Sequence, residues 1–88
     1  MDLKFSGQFN RDIDIGNKQV LKNIYNAILN VKNAQEISSI HEIKKLREYS
    51  VHYRIRLPSN YRIGVIIRKN TVWFMRFGHR SVFYKRFP

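Results

Sequence analysis

The sequence predicts an α+β fold in which N-terminal helices pack on a small, twisted antiparallel sheet. Apolar residues recur at helical spacing between Val20 and Val31. From Val51 onward the apolar period falls to two, as in strands with one buried face. Short turn signals, Pro58-Ser59-Asn60 and Lys69-Asn70, separate the alternating runs.

The elements follow in order. Leu3 to Phe5 predicts a short first strand, with Ser6 placed to cap what comes next. Phe9 and Ile13, with Leu3, give a brief apolar stripe that Gly16-Asn17 breaks. Val20, Leu21, Ile24, Ala27, Ile28 and Val31 then mark an amphipathic helix of about four turns. Lys18, Lys22 and Asn26 fall on its outer face, and Lys32-Asn33 suits its end. Ile37, Ile40, Ile43 and Leu46 recur every three residues, consistent with a short helix and then a strand. Strands are expected from Val51 or Tyr53 to Leu57, from Tyr61 to Ile67 and from Thr71 to Phe77, with Gly78 ending the last. Val82, Phe83 and Phe87 are expected to fold the segment from His79 to Pro88 back onto the sheet.

A chain of 88 residues is one domain, 1–88. Its 43% hydrophobic content, with six Phe and five Tyr, supports a packed core. The absence of Cys excludes disulfides, thiolate nucleophiles and Cys-based zinc sites. The start of the chain lacks the long apolar run of a secretory signal, and no apolar window is long enough to cross a membrane. A cytoplasmic location is the expectation.

Charge is the outstanding property. The formal net charge is +11, and it is lopsided. Residues 1–48 hold eight Lys/Arg against six acids, whereas residues 49–88 hold nine Lys/Arg and no acid. Cations embedded in apolar alternation describe a folded sheet with positive charge fixed on one surface, and nucleic acid is the first candidate partner. If Tyr53, Ile55 and Leu57 face the helices, Arg54 and Arg56 face away, as do Arg62, Gly64, Ile66 and Arg68 in the next strand. Setting Arg76 on that outer face puts Trp73 and Met75 in the core. Gly64 then leaves a depression among Arg54, Arg56, Arg62 and Arg76, with Arg80 just beyond. No local carboxylate is available to pair with them. Arginine rather than lysine favours bidentate contact with phosphate.

The runs Tyr53-Arg54-Ile55-Arg56-Leu57, Asn60-Tyr61-Arg62-Ile63-Gly64-Val65 and Gly78-His79-Arg80, followed by Tyr84, resemble the RelE/ParE superfamily of bacterial toxins. The resemblance implies a RelE-like two-layer fold. It implies either messenger-RNA cleavage in the ribosomal A site, as in the RelE branch, or poisoning of DNA gyrase, as in the ParE branch. It also implies a cognate antitoxin, expected here to carry an acidic or amphipathic segment. Arg54 and Arg56 match two basic positions of RelE-like nucleases, Arg62 the arginine after the strand-opening tyrosine, and Arg80 that of the late Gly-basic-Arg element. Tyr84 matches the tyrosine that stacks on a base or assists proton transfer. Because the set is kept, the nuclease branch is favoured.

The reaction implied is attack of a ribose 2′-hydroxyl on the adjacent phosphate, with no cofactor and no metal. Arg56, Arg62 and Arg80 are the candidates to stabilise charge on the phosphate. Guanidinium stays protonated and makes a poor base, so Tyr84 and His79 are the candidates for moving protons. Arg54, Arg68, Arg76 and Phe83 are candidate RNA contacts, with Phe83 and Tyr84 available for stacking; Trp73, Phe74 and Phe77 are read as core. The rival readings are a gyrase inhibitor on the same fold, a binding module without catalysis, and a nuclease that acts on free RNA.

Overall fold

The computed structural model describes residues 1–88. Strand β1 (Asp2–Phe5) leads into helix α1 (Gly7–Asp12), then α2 (Lys18–Asn33) and a 3₁₀ turn at Ile37–Ser39. Strands β2 (Ile43–Lys45), β3 (His52–Leu57), β4 (Tyr61–Arg68) and β5 (Thr71–His79) follow, and α3 (Arg80–Arg86) closes the chain. The strands form one sheet in the order β1-β5-β4-β3-β2. The helix-on-sheet α+β architecture expected from the sequence is the one observed.

Capping residues fix the helices. The Ser6 side chain accepts from the Phe9 N–H, and Asn17 accepts from the Val20 N–H. Each satisfies a donor that a helix start leaves without a partner. Gly16 precedes α2 at a φ of 69°, a conformation that costs glycine little. Val20, Ile24 and Val31 of α2 are buried against Ile55, Ile63, Val65, Ile67, Val72 and Phe74, and Phe9 of α1 completes this core.

The sheet departs from the expectation in two ways. It is mixed, because β1 pairs in parallel with β5 while the other pairs are antiparallel. It also carries a bulge: Val65 pairs with Phe74 but Gly64 pairs with Arg76, so Met75 has no partner. One extra residue reverses the alternation along β5. Val72 and Phe74 therefore lie in the core at 0% exposure, whereas Trp73 is 40% exposed. The expectation that Trp73 and Met75 are core residues is overturned by this bulge. Strand β5 also runs through Gly78 to His79 rather than ending there.

The chain after β5 does fold back, as a helix. His79 caps α3, its Nδ1 accepting from the Ser81 N–H at 3.2 Å. Phe83 and Phe87 are 1% and 4% exposed and stand apart from the main core. A Cβ built on Gly64 would lie 2.6 Å from the Phe87 ring. Because Gly64 alternates with the core residues Ile63 and Val65, the end of the chain must lie on the sheet face opposite α2. No helix is long and apolar enough to cross a membrane.

Candidate active site

Strand register decides which of the basic residues meet. Arg56 pairs with Arg62, and Arg62 pairs with Gly78, so the three form a row across β3, β4 and β5. The next row, Leu57, Tyr61 and His79, closes the same end of the sheet. There the Tyr61 and His79 rings meet edge to face with centroids 5.4 Å apart. Helix α3 starts one residue later with Arg80. Tyr84 follows four residues on, which sets both on one helical face; both are exposed. Arg56, Arg62, His79 and Arg80 thus gather at one end of the sheet, with Tyr84 a helical turn above.

Arg62 is the unusual member. It is 8% exposed, the one buried cation in the protein. Its Nη1 donates to the Tyr61 carbonyl at 3.0 Å, while its Nε has no partner. No carboxylate forms an ion pair with it. A buried guanidinium without a counter-charge is costly, and an anion brought to it would relieve that cost.

The other arginines fare differently. The Arg56 guanidinium pairs with the Glu42 carboxylate at 2.8 Å, and Arg54 Nη1 donates to the Glu42 carbonyl at 3.0 Å. Arg76 pairs with Asp12 at 2.8 Å. The expectation that no carboxylate reaches the sheet arginines is therefore corrected: two acids from the N-terminal half do. Asp12 also accepts from the Phe77 N–H at 3.0 Å, where β1 no longer covers the edge of β5. Burial alone would push the Asp12 carboxyl upward. Hydrogen bonds from Arg76, Phe77 and Gln8, with the Arg76 charge, outweigh that and hold it below the usual carboxylate range.

Three further expectations are revised. The depression expected at Gly64 is filled by the Phe87 ring. Phe83 is buried and packs against Tyr84 and Phe87, so it has no free face for a base. Arg68 sits beside Thr71 at the far end of β4 from Arg62, roughly 20 Å away at strand rise.

A cleft of about 670 Å³ opens beside this cluster, between α2, Glu42 and the β3–β4 turn. Arg56 and Arg62 line it, together with Asn23, Asn26 and Asn30. The sequence reading missed these asparagines, although their spacing along α2 was a visible signal.

Comparisons with known proteins bear on the family and the fold. No protein-family model matches the chain. A curated toxin, RelE3 of Methanocaldococcus jannaschii, is 33% identical over 89 residues and is matched over 100% of both chains. The chain belongs to the RelE family of toxins. A RelB–RelE antitoxin–toxin complex from Methanococcus jannaschii superposes with a TM-score of 0.79 at 32% identity, covering 97% of this chain and 99% of the other. The E. coli RelBE complex gives a TM-score of 0.71 at 21% identity over 89% and 94% of the two chains. E. coli YafQ gives 0.69 at 17% over 94% and 97%, a likeness of fold alone.

Proposed function

We propose that this RelE-family toxin is a metal-independent endoribonuclease that cleaves messenger RNA, in the ribosomal A site. Arg62 carries the reading: it is a buried cation without a counter-ion, flanked by Arg56 and open to a polar cleft. In the reaction, the ribose 2′-oxygen attacks the adjacent phosphorus as the bond to the 5′-oxygen breaks. The products are a 2′,3′-cyclic phosphate and a 5′-hydroxyl. Arg62 and Arg80 hold the phosphate and stabilise the charge that builds on its oxygens, and Arg56, neutralised by Glu42, flanks them. His79 Nδ1 accepts from the Ser81 N–H, so a neutral His79 ring carries its proton on Nε2. The imidazolium form of His79 gives its Nε2 proton to the leaving 5′-oxygen and becomes the neutral ring, while Tyr84, as the phenolate, takes the proton of the 2′-hydroxyl.

The same reading gives the toxin a cognate antitoxin, since its structural neighbours include antitoxin–toxin complexes. An acidic segment suits the basic end of the sheet. Leu21, Tyr25 and Leu29 are 38%, 60% and 37% exposed along one ridge of α2, which suits the apolar side of an amphipathic partner. Messenger RNA and an antitoxin as partners suit a cytoplasmic location.

The test is inducible expression with mapping of transcript 5′ ends, for the wild type and for Arg62→Met. Cuts at fixed positions within codons are expected from the wild type. Arg62→Met is expected to reduce cutting by about 10²–10³-fold, as for loss of one transition-state donor. Its folding stability should be unchanged or higher, because a buried unpaired charge is replaced by an apolar chain. Intact transcripts with a DNA-damage response would point instead to gyrase.

A further inference from the structure

We propose that the cleft between α2 and the β3–β4 turn is a subsite that reads one base of the RNA beside the scissile phosphate. This rests on the RNA-cleavage reading above, but on different residues. At about 670 Å³ the cleft has room for one nucleotide, and only three of its thirteen lining residues are hydrophobic.

The chemistry of its wall is that of a base reader. Asn23, Asn26 and Asn30 stand at i, i+3 and i+7 on α2, which sets them on one face. Asparagine is a poor helix former, by roughly 0.7 kcal/mol per residue relative to alanine. These three do not serve the helix start, which Asn17 caps. Asn23 Oδ1 accepts from Gln19 at 3.2 Å and Asn30 Oδ1 accepts from the His41 N–H at 2.8 Å. Those bonds leave the amide hydrogens of both, and the whole Asn26 carboxamide, for a ligand. Asn60, from the opposing turn, adds another carboxamide.

A carboxamide offers a donor and an acceptor side by side, which matches a base edge. A site built for phosphate alone would line the cleft with free cations. Here the Glu42 carboxylate lines it too and neutralises Arg56, so a second phosphate is disfavoured on that side. Arg62, at the other side, has no such partner. The arrangement therefore holds phosphate at Arg62 and a neutral, hydrogen-bonding ring toward α2. Position agrees: Leu57 and Asn60 of the cleft belong to the end of the sheet that holds His79. A base of single-stranded RNA can splay out to reach it.

Asn26→Ala tests the subsite, because alanine improves the helix and keeps the fold. Cut sites are mapped on one RNA pool with wild type and variant. The wild type is expected to prefer one base at a position flanking the cut, and Asn26→Ala to flatten that preference about tenfold. In parallel, the four nucleoside 5′-monophosphates and inorganic phosphate are titrated into the wild-type chain while its side-chain amide NMR signals are followed. The Asn26 signal should respond differently to different bases and not to phosphate. Base-dependent shifts without any cleavage would refute the nuclease reading and keep the subsite. Cleavage with an unchanged preference and no base-dependent shift would overturn the subsite and leave the nuclease reading standing. If an acidic amphipathic peptide moves the Asn26 signal and no mononucleotide does, the cleft is a protein-docking surface and the subsite is refuted.

Discussion

Asp12 closes α1 and lies 64 residues before Arg76, to which it is bound. Its side chain is 6% exposed, and it serves the Arg76 guanidinium and the Phe77 N–H together. Nothing in the local sequence marks this role, because Asp12 and Asp14 look alike until β5 arrives beside one of them. The same holds for Glu42, which neutralises Arg56 across 14 residues. The arginines were legible as a group from strand alternation, but their pairing was not, since ion pairs over such separations leave no period in the chain. A consequence for Asp12 follows from the direction of its shift. A carboxyl held below its ordinary range stabilises the fold fully above that range, and the contribution disappears as pH falls through the folded-state value. Asp12→Asn is therefore expected to cost roughly 2 kcal/mol at neutral pH, as for a lost charge-assisted bond. The gap to wild type should close as pH falls below the ordinary carboxylate range. Urea unfolding of both proteins across the acid range measures it; a gap that stays constant with pH would show that the charge of Asp12 is not the stabilising feature.

At the level of elements, strand and long-helix positions were legible because each repeats its period several times. Helix α2 and strands β3 and β4 fall where the apolar spacing put them. The bulge at Met75 was not legible, as one unpaired residue is visible only against its partner strand. Helix α3 was not either: seven residues with Phe83 as their one buried side chain give too short a pattern to show a helical period. Yet α3 carries Arg80 and Tyr84, and its seat is the contact of Phe87 with Gly64. The absence of a side chain at Gly64, read from sequence as room for a ligand, serves this contact instead. Gly64→Ala would set a methyl 2.6 Å from the Phe87 ring, so the ring and the end of α3 must shift. A loss of about 1–3 kcal/mol is expected, as for overpacking, together with a fall in RNA cleavage because the helix holding Arg80 and Tyr84 moves. Phe87→Ala removes the clash, so the double variant should be little less stable than Phe87→Ala alone. A double-mutant cycle by urea unfolding measures this coupling; simple additivity would show that the two sites do not communicate.

For the whole molecule, the formal charge of +11 understates the structure in its arrangement. Two of the six acids are turned onto sheet arginines, so the cations divide into those already neutralised and those left for a partner. Arg54 and Arg56 make the division testable, since they are two residues apart on one strand. Arg54 bonds only to the Glu42 carbonyl and keeps its full charge, whereas Arg56 is paired with the Glu42 carboxylate. Polyelectrolyte binding counts unneutralised cations through its salt dependence. Affinity for a single-stranded RNA should therefore fall steeply as salt rises. Arg54→Gln and Arg80→Gln should each reduce the logarithmic slope by about one. Arg56→Gln should reduce it much less, because its counter-charge is already inside the protein and no ion is released when RNA arrives. Fluorescence anisotropy with a labelled oligonucleotide from low to moderate salt measures all three. Equal slope losses would mean that the Glu42 pair opens on binding, and then Arg56 would count among the free cations that face the phosphate.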